Sequence, residues 1–177
     1  MNILFSPHND DEVLFACYTL LREKPLVVIC TDSYIQYNRG DGITAEQRRE
    51  ETRQAMKVLD LPVYFAGIRD DQATEEDFVD LMKKFNVNGN VYAPAVQGGN
   101  KHHDMVGNAA AKVFKWLTRY TTYTKTELWT KGTLEVVPNE IEASLKRRAL
   151  ACYESQYNLP STKPHFLAVM DKTEWLL

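Results

Sequence analysis

Residues 6–12 read Ser-Pro-His-Asn-Asp-Asp-Glu, which places one imidazole and three carboxyl groups, those of His8, Asp10, Asp11 and Glu12, within five positions. A carboxylate at the start of a helix can satisfy free amide groups and suits the positive end of the helix dipole. That accounts for one acid. It does not account for a histidine three residues before Asp11, because at a strand-to-helix turn His8 and Asp11 can aim their donor atoms at a common centre. Imidazole nitrogen and carboxylate oxygen are good zinc donors, and a catalytic zinc takes three protein ligands and keeps one position open. A third donor must come from elsewhere. The other histidines are His102, His103 and His165, and the adjacent pair follows a glycine-containing loop, Gln97-Gly-Gly-Asn-Lys101. Residue types alone leave open which of them takes part.

The elements that would position these groups follow from periodicity. NILFS (2–6), LVVICT (26–31), VYFAGI (63–68) and VYAPA (91–95) are short runs rich in β-branched and aromatic residues, expected as strands buried on both faces. Between them, residues 11–23, 44–59 and 75–85 repeat apolar positions at helical spacing. A helix over 104–120, a strand near ELWT (127–130), a long helix from Pro138 through Tyr157 and a last strand at FLAVM (166–170) complete the expectation. The alternation predicts an α/β fold: a three-layer α/β/α arrangement around a Rossmann-like, mostly parallel sheet, in one domain spanning residues 1–177. Ligands of such sheets bind beyond the carboxyl ends of the strands, where HNDD, TDS (31–33) and GGNKHH (98–103) should converge.

Composition narrows the class. A chain of 177 residues with 44% apolar content can bury a substantial core, and a net charge of −3 without a basic block argues against nucleic acid as a partner. Cys17, Cys30 and Cys152 are odd in number and lie in no metal-type spacing, so they read as reduced core thiols. No membrane span or lipidation signal is evident, and a cytoplasmic location is expected. Oligomeric state is not readable; a homo-oligomer is compatible.

SPHNDDE resembles the HPDDE signature of the LmbE-like, or PIG-L, zinc-dependent N-acetylglucosamine deacetylases, with Asn9 where proline is usual. Further stretches are similar to the family in the same order: TDS after strand two, RREETRQAMKVLD (48–60), GGNKHHDMVGNAA (98–110) and KRRALACYESQ (146–156). The resemblance implies that His8, Asp11 and His103 hold Zn2+, with another divalent ion such as Fe2+ compatible, and that Asp10 is the general base toward a zinc-activated water. It further implies an N-acetylated sugar conjugate, or a related small amide, as the substrate.

One departure stands out. Asn100 occupies the position where the family's second motif begins with a histidine suited to oxyanion stabilisation or proton donation. An asparagine amide donates a hydrogen bond but cannot shuttle a proton near neutrality, so His102 or His165 is a candidate to take over. The alternative function is therefore a divergent member that binds a sugar or metabolite with little or no catalysis, and a third is a metal-free interaction domain.

Other residues have two readings each. Arg48 either binds substrate with its guanidinium or pairs with Glu50 or Glu51 as an exposed helix charge; Arg49 is expected in solvent. Asp70 and Asp71 follow strand three and either face the site or are solvated. Lys146, Arg147 and Arg148 read as a wet helix face, and Ser155 and Gln156 as anchors of the C-terminal helix. The turn-rich segment 33–44 is either a lid or an ordinary polar loop, and its RGD triplet is attributed to chance.

Overall fold

In a computed structural model, which describes residues 1–35, 40 and 42–177, the first strand β1 (Ile3–Ser6) leads into helix α1 (Asp11–Glu23) and strand β2 (Leu26–Asp32). Helix α2 (Ala45–Leu59), strand β3 (Val63–Arg69), helix α3 (Glu75–Lys83), strand β4 (Val91–Pro94) and helix α4 (Lys101–Val113) continue the alternation. The remainder is β5 (Thr118–Tyr120), β6 (Leu134–Val136), α5 (Glu140–Leu150), α6 (Glu154–Tyr157), α7 (Lys163–Val169) and β7 (Glu174–Leu176). The sheet order is β3-β2-β1-β4-β5-β7-β6, parallel through β5 and antiparallel at β7.

Alternation along the central strands makes the layers, because successive side chains leave a strand on opposite faces. Leu4, Val27 and Ile29 join the core beneath α1, α2, α5 and α7, while Ile3, Phe5, Val28 and Cys30 join the core beneath α3 and α4. The three-layer α/β expectation holds. From β1 the chain runs outward through β2 and β3 and then returns to β4 on the other side of β1, so the crevice beyond β1 and β4 is the topological switch point.

Helix ends follow local chemistry. Thr44 caps α2, Thr74 and Asp77 form a capping box on α3, and Asn139 with Glu142 forms one on α5, directly after Pro138.

Several expectations give way. Helix α4 starts at Lys101 and ends at Val113, not 104–120, because Asn100 caps it one turn earlier and Phe114 turns extended; Tyr120 belongs to a strand. ELWT forms no strand: Trp129 packs individually and donates its indole N–H to the Thr173 carbonyl. FLAVM lies within α7, burying Phe166 and Val169 at i, i+3, and the last strand is β7; a short apolar run does not distinguish helix from strand. The helix expected over 138–157 breaks after Leu150, which frees Tyr153 to turn inward. Strand β3 sits at the sheet edge and alternates in exposure, so it is not buried on both faces. The proposed lid and the RGD triplet fall largely on residues 36–39 and 41, outside the described residues. Among the described residues no helix is long and apolar enough to cross a membrane.

Candidate active site

The HNDD turn is held on every side. The Pro7 carbonyl accepts both the Thr31 N–H (3.1 Å) and the Thr31 hydroxyl (2.7 Å), tying the turn to β2. Asp10 occupies the N-cap of α1 at φ 124°, ψ −33°, a backbone conformation disfavoured for an L-residue and costing on the order of 1–3 kcal/mol. Its side chain makes no capping bond. Instead its backbone N–H donates to Glu12 Oε2 at 3.1 Å, and the buried Glu12 carboxylate also accepts the hydroxyls of Ser6 (3.0 Å) and Tyr153. The strained turn is thus stapled from β1 and from the break after α5.

His8, Asp11 and His103 come together. Asp11 Oδ2 lies 2.9 Å from His8 Nδ1 and 2.9 Å from His103 Nε2, and it accepts the His8 backbone N–H at 3.1 Å. One donor atom from each residue falls within 4.8 Å of the others. His103 Nε2 is buried without a hydrogen bond of proper geometry, so its lone pair or proton faces the shared centre unspent. The second nitrogen of each ring is engaged: His103 Nδ1 lies 3.2 Å from Thr122 Oγ1, and His8 Nε2 lies 2.9 Å from His102 Nδ1. Outer partners of this kind fix ring orientation around a metal. Two nitrogens and one carboxylate oxygen, convergent, with Asp11 and His103 buried and His8 partly exposed at the cavity, fit a divalent cation.

Electrostatics divide the acids. Burial alone would raise Asp11, but His103 and His8 outweigh it and hold its carboxyl far below the usual range. Asp10 is pushed up to about 7 by burial, against the opposing pull of Arg48. Burial also lowers His102 to about 3, helped by the neighbouring His8. For His8 burial works against the charged ring, yet Asp11 prevails and its pKa is raised.

Arg48 is 2% exposed, which removes the reading of an exposed helix charge. Its Nη2 lies 3.2 Å from Asp10 Oδ2 and donates to the Asn9 carbonyl; Nη1 is 3.7 Å from Glu51. Glu51 in turn accepts the Ser155 N–H (2.8 Å) and hydroxyl (2.7 Å), so Ser155 does anchor the C-terminal segment to the site. Arg49, expected in solvent, instead forks onto Asp32 at the end of β2. Asp70 accepts the N–H groups of Tyr34 (2.7 Å) and Ile35 (2.8 Å), whereas Asp71 pairs with Arg69 on the surface.

A cavity of about 460 Å3 opens over these groups, lined by His8, Asp10, Arg48, Asp70, Asn100 and His102 among others. The lining also includes Tyr123, from the loop after β5, and His165 of α7. Sequence reasoning missed Tyr123, Glu12 and Tyr153. Glu12 stood in the motif itself, but its partners come from 141 residues away and from β1.

The family model described as PIG-L: GlcNAc-PI de-N-acetylase matches residues 3–114, which include the HNDD turn, Arg48, Asn100 and His103. The chain belongs to the PIG-L family. No curated protein matches it. Among solved structures it is similar to the conserved protein TT1542 from Thermus thermophilus, with a TM-score of 0.73, 19% identity, 99% of this chain and 93% of that chain covered. It is also similar to the N,N'-diacetylchitobiose deacetylase from Pyrococcus horikoshii (TM-score 0.69, 17% identity, 96% and 74% covered). A third is GalB, the 4-carboxy-2-hydroxymuconate hydratase from Pseudomonas putida KT2440 (TM-score 0.66, 14% identity, 99% and 94% covered). A deacetylase and a hydratase on one PIG-L-like fold mean that the reaction must be argued from the site.

Proposed function

We propose that this PIG-L family chain is a divalent-metal-dependent N-deacetylase that releases acetate from an N-acetylated amino sugar, with His8, Asp11 and His103 as the ligands. The observation behind the reading is the convergence of two imidazoles and one carboxylate beside a second, separately held carboxyl, that of Asp10. Zinc suits this donor set, and when bound it supplies a Lewis acid and lowers the pKa of water to roughly 7.

The chain's own groups do the rest. Asp10 accepts a proton from the attacking water, and Arg48 at 3.2 Å holds it in place. The water oxygen bonds to the carbonyl carbon while the C=O π pair moves onto the carbonyl oxygen. When that pair returns, the C–N bond breaks and the nitrogen takes the proton held by Asp10, leaving a free amine and acetic acid, which ionises to acetate in water. His102, kept neutral by burial, orients His8 through its Nδ1. Ser33, Ser161 and Thr162 are polar residues of the cavity lining, of the kind a sugar requires.

We assign Arg48 to positioning Asp10 through Nη2, which faces Asp10 and the Asn9 carbonyl, while Nη1, buried without a hydrogen-bond partner beside the cavity, is left to a substrate oxygen. The second reading, binding with little turnover, is favoured by Asn100 alone. Zinc-loaded protein incubated with N-acetylglucosamine and N,N'-diacetylchitobiose, with released amine measured, decides between the two. Tight binding without amine, unaffected by Asp10→Asn, would replace the enzyme with a receptor.

A further inference from the structure

Asn100 leaves the oxyanion without the family's histidine, yet its amide is not idle. Its Oδ1 accepts the His102 backbone N–H at 2.8 Å, capping α4, and its Nδ2 donates to Tyr123 Oη at 3.2 Å. A backbone N–H can only donate, so chemistry fixes which end of the amide faces the phenol. A phenol oxygen that accepts from Asn100 keeps its own O–H to give, and among the described residues no acceptor is paired with it.

The ring is held firmly at the site. It lies 5.1 Å from the His103 ring, 5.8 Å from Phe15 and 4.5 Å from His165, centroid to centroid. The preceding residue is pinned twice, with Thr122 N–H donating to Gln97 Oε1 at 2.7 Å and Thr122 Oγ1 beside His103 Nδ1. Gly99 is needed for this approach: a Cβ there would meet the Tyr123 carbonyl oxygen at 2.2 Å and its ring at 2.8 Å. The rival candidates are placed less well. His102 is tied through Nδ1 to His8 and has only its buried Nε2 unpaired, and the His165 ring lies tilted at 50° against Tyr123.

We propose that Tyr123 is the oxyanion donor of this site, its O–H directed at the carbonyl oxygen of the scissile acetamide while Asn100 holds the phenol oxygen. This rests on the deacetylase reading. As the water oxygen bonds to carbon and the π pair moves to the carbonyl oxygen, the Tyr123 hydrogen bond tightens without transferring a proton. It relaxes when the pair returns and the C–N bond breaks. A fixed neutral donor does its work in the transition state and little in the ground state.

The test compares wild type with Tyr123→Phe, both zinc-loaded, on N-acetylglucosamine and N,N'-diacetylchitobiose. Loss of one such donor should lower kcat about 10²- to 10³-fold while KM stays within about threefold. Zinc content and melting temperature should match wild type. Affinity for a methylphosphonamidate analogue of N-acetylglucosamine, which places a charged oxygen where the oxyanion forms, should fall by a similar factor, with glucosamine binding unchanged. A phenylalanine variant with near-wild-type kcat, or one that loses its zinc, overturns the Tyr123 assignment alone. A wild type that binds zinc but frees no amine from either sugar overturns the deacetylase reading, and the donor role with it.

Discussion

Helix α1 touches two clusters of buried charge that obey different rules. Along its middle, Lys146 of α5 is fully buried; its Nζ donates to Glu174 Oε1 and to the Leu14 carbonyl, both at 2.9 Å, and sits 4.7 Å from the Tyr18 ring centroid. Glu174 also accepts the Tyr18 N–H at 2.9 Å. At its N-terminus, by contrast, His102 Nε2, His103 Nε2, Arg48 Nη1 and Asn9 Oδ1 are buried without hydrogen-bond partners, Asp10 is strained, and a cavity opens above them. In the first cluster, the closed one, both charged groups are paired, with no cavity above them among the described residues, and the pair ties α1, α5 and β7 together. The second is left open, as a site that has still to bind something must be.

The largest effect is expected in the open cluster. His103→Ala should abolish stoichiometric zinc binding and reduce amine release to background, as checked by metal analysis and a coupled amine assay. Asp10→Asn should keep the metal but lower kcat by about 10²- to 10⁴-fold, because a general base is removed while the ligands remain. If Asp10→Asn loses zinc instead, Asp10 is a ligand and the division of labour between the two acids is wrong.

The closed cluster should answer in stability. Lys146→Met strands the Glu174 carboxylate in the core and should cost about 3–5 kcal/mol, whereas the double variant Lys146→Met, Glu174→Leu should return close to wild type. Urea denaturation measures both, and zinc content of the folded fraction should not change. A single variant as stable as wild type would mean that water reaches the pair.

The contrast also explains what the sequence disclosed. The β1-to-β4 alternation was legible because these strands are apolar runs separated by helices with clear periodicity, and the first-loop site residues because His8, Asp10 and Asp11 are local to one turn. Lys146 was read as part of a wet face because it stands beside Arg147 and Arg148, and its partner Glu174 lies 28 residues on in a three-residue strand that composition does not mark. Tyr123 escaped for the same reason: what singles it out is a hydrogen bond from Asn100 and a glycine that lets it approach, neither a sequence pattern. Arg49, on helix α2, was misplaced because its partner Asp32 sits at the end of strand β2. Local chemistry is written in spacing, whereas long-range pairing is written only in the fold.

Between the two clusters stands Glu12, closed like the pair and yet serving the open site. Tyr153→Phe removes one of its hydroxyl donors, leaves a buried carboxylate short of a partner and should cost about 1–3 kcal/mol in denaturant. Because Glu12 also holds the Asp10 N–H, kcat should fall while zinc stays bound. A stability loss with unchanged kcat would show that the strained turn does not need the staple and would place Glu12 wholly with the closed cluster.

The smallest effect belongs to an ion pair that is neither closed nor open. Arg22, near the end of α1, forks onto Glu142 at 2.8 Å through both Nε and Nη2 and donates to the Val137 carbonyl at 2.6 Å, which looks stronger on distances than the Lys146 pair. Its side chain, however, is 43% exposed, so water screens the attraction and competes for the guanidinium. Arg22→Ala should therefore change stability by no more than about 1 kcal/mol, and raising the salt concentration should shrink even that. Lys146→Met should be nearly indifferent to the same salt, since counter-ions cannot reach a buried group. If the two variants cost the same and respond alike to salt, exposure is not what separates the clusters, and the contrast along α1 reduces to hydrogen-bond count.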